Sequence, residues 1–500
     1  MCFSGPNPNT SDLTLKEMKR KIPFVLILSI VLLASASGTF AQEVEVYVSS
    51  ASGDRVTPKP ILQFGQRAER AGLSFTINDA IEHQKIVGFG ASFLEAGMIG
   101  LNSLDPEEQE MVLSALFDPV RGAGFSAMKT VISATDFMSA GPFYSYDDVV
   151  GDVNMTHFSV MRDLGPNGLI TYIKRARRYG NFVLEAPMDY PPEWMLFDVN
   201  TRQDVDPRYF DALALYYMRY LQEYEANGVF IDYLSLFNEP GIYTKISFSK
   251  IGDLIKYHVG PLLLNEGVKT KIMLSEGWTR TNAYENYPKV LDDPGVRKYV
   301  AALPYHGYDL TDFAAIRALH HRYPELPLWM TEICHYKQGD PSVDLPRYDF
   351  QDGDFWGNQI VSDLEAGASA WIYWNMILDE KGGPWLVSPV HRDGPDNVQH
   401  PVVIINRATK TVIYTALYYY LKHFSKFVRP GAIRVETSGS VPDVRVVAFK
   451  TAGGGLVAEV INSRLDATKI WLDWRGRALR LSLPAQSITT CLWSTRATKK

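Results

Sequence analysis

Residues 232–240 read Asp-Tyr-Leu-Ser-Leu-Phe-Asn-Glu-Pro, and residues 326–333 read Leu-Pro-Leu-Trp-Met-Thr-Glu-Ile. Each is a short apolar run that carries a glutamate at its end. Runs of this kind, rich in aliphatic and aromatic residues and bounded by turn formers, are what strands buried on both faces require. Outward from these two, the same signature recurs at 86–93, 125–132, 181–188, 271–277, 300–306 and 368–376, which makes eight. Amphipathic stretches separate them at 105–117, 166–179, 207–226, 249–266, 312–323 and 355–366, and 283–291 reads as a short helix. Eight strand–helix alternations predict an α/β fold, a (β/α)8 TIM barrel rather than an open doubly wound sheet.

The flanks of this region have a different period. Val44, Val46 and Val48 alternate with Glu45 and Tyr47, as in a half-exposed antiparallel strand. Beyond Pro430, six short runs separated by Gly-rich or polar turns read as an antiparallel β-sandwich. The N-terminal strands are expected to join it, because a lone edge strand would otherwise go unpaired. The predicted organisation is strands at 42–78, a catalytic barrel at 79–409, the sandwich at 410–496 and a tail at 497–500. Before all of this, Lys19-Arg20-Lys21 precedes an apolar run from 22 to 36 and small residues up to Ala41. That order is a secretory signal, with Met18 as the expected start and Ala41 as the preferred cleavage point. A secreted product with no stable membrane insertion follows. Only Cys334 and Cys491 would survive cleavage, too few for a disulfide framework.

Barrel enzymes do their chemistry at the C-terminal ends of the strands. Glu239 ends the fourth run and Glu332 the seventh, on opposite sides of the barrel mouth. A carboxylate at the end of an apolar strand is costly to bury without partners. Two facing carboxylates are what glycoside cleavage needs: one protonates the leaving oxygen while the other meets the anomeric carbon from the opposite face. Asp136, His306, Tyr308, Trp374 and Asn375 also fall at strand ends, where convergent polar groups on an aromatic floor can grip sugar hydroxyls. The chain has 10 Trp, 27 Tyr and 24 Phe, and aromatic faces stack on sugars. A net charge of −6 gives no reason to expect a nucleic-acid partner. Gly88-Phe89-Gly90 lacks the third glycine of a dinucleotide site, and no Gly-x-Ser-x-Gly elbow or Walker loop occurs. His320-His321 lacks a ligand partner at metal spacing, so no metal or cofactor is expected.

Read together, these residues resemble glycoside hydrolase family 30, in particular its glucosylceramidase branch. The resemblance rests on Ile86-Val-Gly-Phe-Gly-Ala91, Ala134-Thr-Asp-Phe137, Asn238-Glu-Pro240, His306 with Tyr308, Thr331-Glu332, Trp374-Asn375 with Gly382-Gly-Pro384, and His423-Phe-Ser-Lys-Phe427. It implies a retaining mechanism with Glu239 as acid/base and Glu332 as nucleophile. It also implies that Asn238 bonds the sugar 2-hydroxyl, that Tyr308 donates to the nucleophile, and that Asp136 and Trp374 hold the distal hydroxyls. Four positions depart from the family pattern. Lys129 stands for an arginine, Tyr190 is the nearest replacement for a tryptophan of the third strand, Gly307 stands for an aromatic, and Ser275-Glu-Gly-Trp278 replaces an acidic motif. All four are expected at the rim of the pocket, where they would alter the preferred sugar or aglycone. The substrate expected is a carbohydrate or glycolipid. A β-1,6-glucan, galactan or xylan hydrolase is the alternative on the same scaffold, and an inactive carbohydrate-binding protein the alternative of another class.

Overall fold

The computed structural model describes residues 42–66, 73–138, 141, 143–197, 204–337, 347, 349–385 and 397–495. The segment read as a signal, 1–41, and the tail 497–500 lie outside the described residues. Eight parallel strands close into a barrel: Gly88–Ser92, Ala127–Lys129, Val183–Ala186, Tyr233–Ser235, Lys271–Met273, Val300–His306, Leu328–Glu332 and Ala368–Asn375, the eighth pairing with the first. Every residue of the first, seventh and eighth strands is buried, which is why they read as continuous apolar runs. Gly90 lets the first two strands approach, since a Cβ there would stand 2.1 Å from the Ala127 carbonyl oxygen. The bore is filled by Trp329, which packs with Ala127, Ala302, Ala370, Met273 and Ile372, one large ring among three alanines.

Inward-pointing positions recur every second residue. Ala127 faces the bore, so Lys129, two residues on, faces the same axis nearer the C-terminal mouth. Glu185 is its register partner on the third strand. The barrel thus delivers a lysine and an acid side by side into its own interior.

The second domain is a nine-stranded sheet. Its order is Thr57–Phe64, Gln42–Ser50, Ser487–Ser494, Gly455–Asn462, Val444–Lys450, Ile433–Ser438, Ser74–Lys85, Thr468–Trp474 and Arg477–Leu483. The three N-terminal strands are therefore integral to it. Pairing is antiparallel except between Ser74–Lys85 and Thr468–Trp474. Gly65 and Ala478 exchange two backbone hydrogen bonds across the outer strands, which leaves little open edge.

Two expected boundaries move. The third strand continues to Lys85, so the barrel starts there rather than at 79. Residues 410–427, assigned from sequence to the sandwich, instead carry the helix Ala416–Phe427, which packs on the helix Phe350–Ala366. Its buried Leu417, Tyr420, Leu421 and Phe424 have helical spacing, a signal hidden by the run of tyrosines. His423 of this helix is hydrogen-bonded to Ser49 and Thr490 of the sheet, a buried polar link between the domains. No helix among the described residues is long and apolar enough to cross a membrane.

Candidate active site

The barrel brings its polar strand ends to one place. Glu332 is the last residue of the seventh strand and pairs in register with His306, the last of the sixth. Asn238 and Glu276, beyond the fourth and fifth strands, are bridged to each other. Glu239 follows at φ 45°, a left-handed conformation uncommon for a residue with a side chain. Its N–H donates to the Glu276 carbonyl oxygen at 3.0 Å, which helps hold that conformation.

Lys129 organises the centre. Its ammonium is fully buried and donates to Glu276 Oε2 and Glu332 Oε2, both at 2.8 Å, and to Asn238 Oδ1 at 3.2 Å. An ammonium has three protons, and here each has an acceptor. Lysine therefore suffices, because the acceptors surround a point rather than lie along a planar fork. The ring of Trp374 lies 5.2 Å from the same ammonium. The other oxygen of Glu332 accepts from the Tyr308 hydroxyl at 2.9 Å.

His306 bridges the acids. Nδ1 lies 2.7 Å from Glu239 Oε1 and Nε2 lies 2.8 Å from Glu276 Oε2. One oxygen each of Glu239 and Glu332 and a ring nitrogen of His306 all lie within 4.8 Å of one another. Retaining glycosidases separate their carboxyl groups by about 5–5.5 Å, whereas inverting ones need about 6.5–9.5 Å to admit a water. An oxygen of each acid within 4.8 Å of the other fits the shorter spacing.

The charges of the site follow from burial and pairing. Burial raises the Glu239 pKa, and the neighbouring His306 only partly offsets this, so Glu239 is biased toward its protonated form. Burial would also raise Glu276, but Lys129 and His306 outweigh it and hold Glu276 ionised. Glu185 and Asp189 are fully buried, and burial pushes both well above the carboxylate range. Lys129 and His306 thus both favour the anionic form of Glu276, while burial drives Glu185, Asp189 and Glu239 the other way.

Burial disfavours the His306 cation, but the Glu332 charge and the bonds to Glu239 and Glu276 overcome it, and the imidazole is pushed up to about 9. A base whose folded-state pKa exceeds its unfolded value of 6.5 adds stability that is complete below 6.5 and is lost as pH rises through 9. Calorimetry should show the thermal midpoint falling across that window, by the equivalent of a few kcal/mol in stability. His306→Asn should flatten the slope; an unchanged slope would remove the histidine as its source.

Asp136 is buried and accepts from Asn397 Nδ2 at 3.0 Å. Asn375 donates to Gln399 Oε1 at 2.5 Å. Tyr190 packs edge-on against Phe143 and Tyr243 on the wall of a cleft among the loops after the second, third and fourth strands. The expectation that all four family departures sit at the rim is corrected for two of them. Lys129 and Glu276 are fully buried at the centre, and Glu276 Oε2 alone accepts from Lys129, His306 and the Thr331 hydroxyl. Gly307 is also explained, because a Cβ there would come within 2.7 Å of Ile333 Cδ1 and 3.1 Å of the Arg280 guanidinium. Arg280, itself fully buried, fills that space and donates to the Gly307 carbonyl oxygen and to Asp309 and Asp363. Sequence reasoning missed Glu276, Glu185 and Arg280. The available signal for Glu276 was an acid within the fifth apolar run, the same anomaly that singled out Glu239 and Glu332.

Residues 86–428 match the glycosyl hydrolase family 30 TIM-barrel domain and residues 431–491 the family's β-sandwich domain. Putative glucosylceramidase 2 of Caenorhabditis elegans is 28% identical over 78% of this chain and 77% of its own length. Endo-1,6-beta-D-glucanase of Neurospora crassa is 28% identical over 79% and 82%. The crystal structure of SrfJ from Salmonella typhimurium superposes with a TM-score of 0.82 at 21% identity, over 91% of this chain and all of that one, and shares the fold. A barrel with two facing glutamates beyond its strands, joined to a sandwich that its own N-terminal strands complete, matches both family domains in order: the chain belongs to glycosyl hydrolase family 30.

Proposed function

We propose that this glycosidase is a secreted retaining hydrolase of β-glucosides, with Glu332 as nucleophile and Glu239 as acid/base. The observation that carries the reading is the pair of facing carboxyl groups with oxygens within 4.8 Å of each other, Glu332 accepting from Lys129 and Tyr308 and Glu239 biased by burial toward its acid form. Glu332 attacks the anomeric carbon while Glu239 gives its proton to the departing oxygen, leaving a glycosyl ester on Glu332. Glu239, now a carboxylate, takes a proton from water, whose oxygen attacks the same carbon and releases Glu332. Lys129 and Tyr308 fix both oxygens of the nucleophile. The Asn238 oxygen is occupied by Lys129, so its amide hydrogens remain for the sugar 2-hydroxyl. Asp136 and Trp374 hold the far side of the sugar.

Glucose as the sugar is supported by what the two named relatives have in common. One is a putative glucosylceramidase and the other an endo-1,6-beta-D-glucanase, names that share glucose and differ in what it is attached to. Secretion is supported by the basic, apolar and small-residue order of residues 19–41. The test is a panel of aryl β-glycosides beside glucosylceramide and β-1,6-glucan. Glucosides should be cleaved with retention and in preference to galactosides and xylosides. Preference for another sugar, or an inverted product, would overturn the assignment.

A further inference from the structure

The reaction above gives no task to Glu185. This acid lies on the third strand, in register with Lys129 of the second, and is fully buried. A carboxyl group in such a place is costly unless it has a partner or a proton. The donors of the centre all go elsewhere. The Lys129 ammonium serves Glu276, Glu332 and Asn238, while His306 and the Thr331 hydroxyl serve Glu276 Oε2. Among the described residues no amine, amide, imidazole or hydroxyl donates to either oxygen of Glu185 or to Oε1 of Glu276. The two carboxyl groups are instead hydrogen-bonded to each other. Ionised carboxylates only accept, so that bond needs a proton on one of them. The other donors decide which. Glu276 Oε2 accepts from three groups, the Lys129 ammonium among them, whereas Glu185 accepts from none. Burial pushes Glu185 well above the carboxylate range; it acts on Glu276 too, but there Lys129 and His306 outweigh it.

We propose that Glu185 is a positioning residue for the nucleophile: it keeps its proton, donates it to Glu276, and so leaves Lys129 free to hold Glu332. The proposal rests on the assignment of Glu332 as nucleophile and adds what steadies the lysine behind it. In the closed barrel the third and seventh strands stand four apart in either direction. Glu185 and Glu332 therefore approach Lys129 from opposite sides of the bore. A negative charge on Glu185 would draw the ammonium away from Glu332 Oε2, because opposite charges interact strongly in a buried site. A Glu276 Oε1 left without a donor would compete with Glu332 for the same ammonium. A neutral O–H removes both pulls, and its bond to a carboxylate is stronger than one between neutral groups. Glu185 thus acts through Lys129 and never touches the sugar.

The test uses two replacements. Glu185→Gln keeps the shape and a donor; Glu185→Met keeps the length and has no proton to give. Fluoride leaves without protonation, so kcat/KM on β-glucosyl fluoride reads the attack by Glu332. Glu185→Met should lower it about 10- to 100-fold, the cost of a buried acceptor left without its donor, and Glu185→Gln should restore it to within about threefold of wild type. The infrared spectrum of wild type at neutral pH, with that of Glu185→Gln subtracted, should contain the carbonyl band of a protonated carboxyl, which moves in D2O. Carboxylate bands in its place, or a Glu185→Gln enzyme as slow as Glu185→Met, would make Glu185 an anionic partner of Lys129 and overturn the proposal. A Glu185→Met enzyme as fast as wild type would overturn it too. Wild type that cleaves no β-glucoside would overturn the glucosidase reading and the role given to Glu185 with it, whereas the infrared band would still report the proton.

Discussion

Glu332→Gln is expected to lower kcat on every β-glucoside by about four orders of magnitude or more, while the protein keeps its native circular dichroism. The amide is nearly isosteric, so the shape of the pocket survives. Its oxygen can still accept from Lys129, and its NH2 can donate to the Tyr308 oxygen. What disappears is the carboxylate oxygen that attacks carbon, together with one of the two carboxyl groups that accept from Lys129. Glu276 remains to pair with that lysine, so stability should fall by only about 1–3 kcal/mol. The nearest other candidate for the nucleophile is Glu276, but one of its oxygens already serves three donors. It is also fully buried beneath the reacting groups. A slow fluorinated glucoside should therefore add one sugar mass to the wild-type peptide carrying Glu332 and none to the variant. Residual activity above about one part in a hundred would move the nucleophile elsewhere.

The sequence was legible where a side chain's reason for being there is local. Apolar runs bounded by turn residues gave all eight barrel strands, because a strand buried on both faces has no choice of composition. Glu239 and Glu332 stood out as acids inside such runs. What was not legible depends on which long-range partner a residue meets. Lys129 reads as a weakened arginine until its three acceptors are seen, two of them more than 140 residues away and the third 109. Glu276 reads as part of a rim because the fifth strand is only three residues long and nothing nearby marks the next acid as inward-facing. Gly307 reads as a lost aromatic, whereas the space is taken by Arg280, which opens the helix Arg280–Asn286 after the fifth strand. The helix Ala416–Phe427 was passed over because its tyrosines blur the boundary between apolar and polar faces. Closure between Gly65 and Ala478, like the partners of Lys129, is a property of the folded chain alone.

The second large effect is expected at Glu239, and it should depend on the leaving group. Glu239→Ala removes both the proton that the departing oxygen needs and the base that later activates water. On a β-1,6-linked oligosaccharide, whose alkoxide is a poor leaving group, kcat/KM should fall about 100- to 10,000-fold. Fluoride departs without a proton, so the first turnover of β-glucosyl fluoride should proceed within about tenfold of the wild-type rate. The glycosyl ester on Glu332 would then accumulate, seen as a burst followed by slow release. Azide needs no base, so adding it should restore steady turnover and give the β-glucosyl azide, the product of two inversions. Because burial raises the pKa of Glu239, the same substitution should erase the alkaline limb of the pH profile for glycosylation. Equal losses on fluoride and oligosaccharide would deny Glu239 its acid role. An α-azide would mean that azide had displaced the leaving group directly, which is incompatible with a glycosyl ester on Glu332.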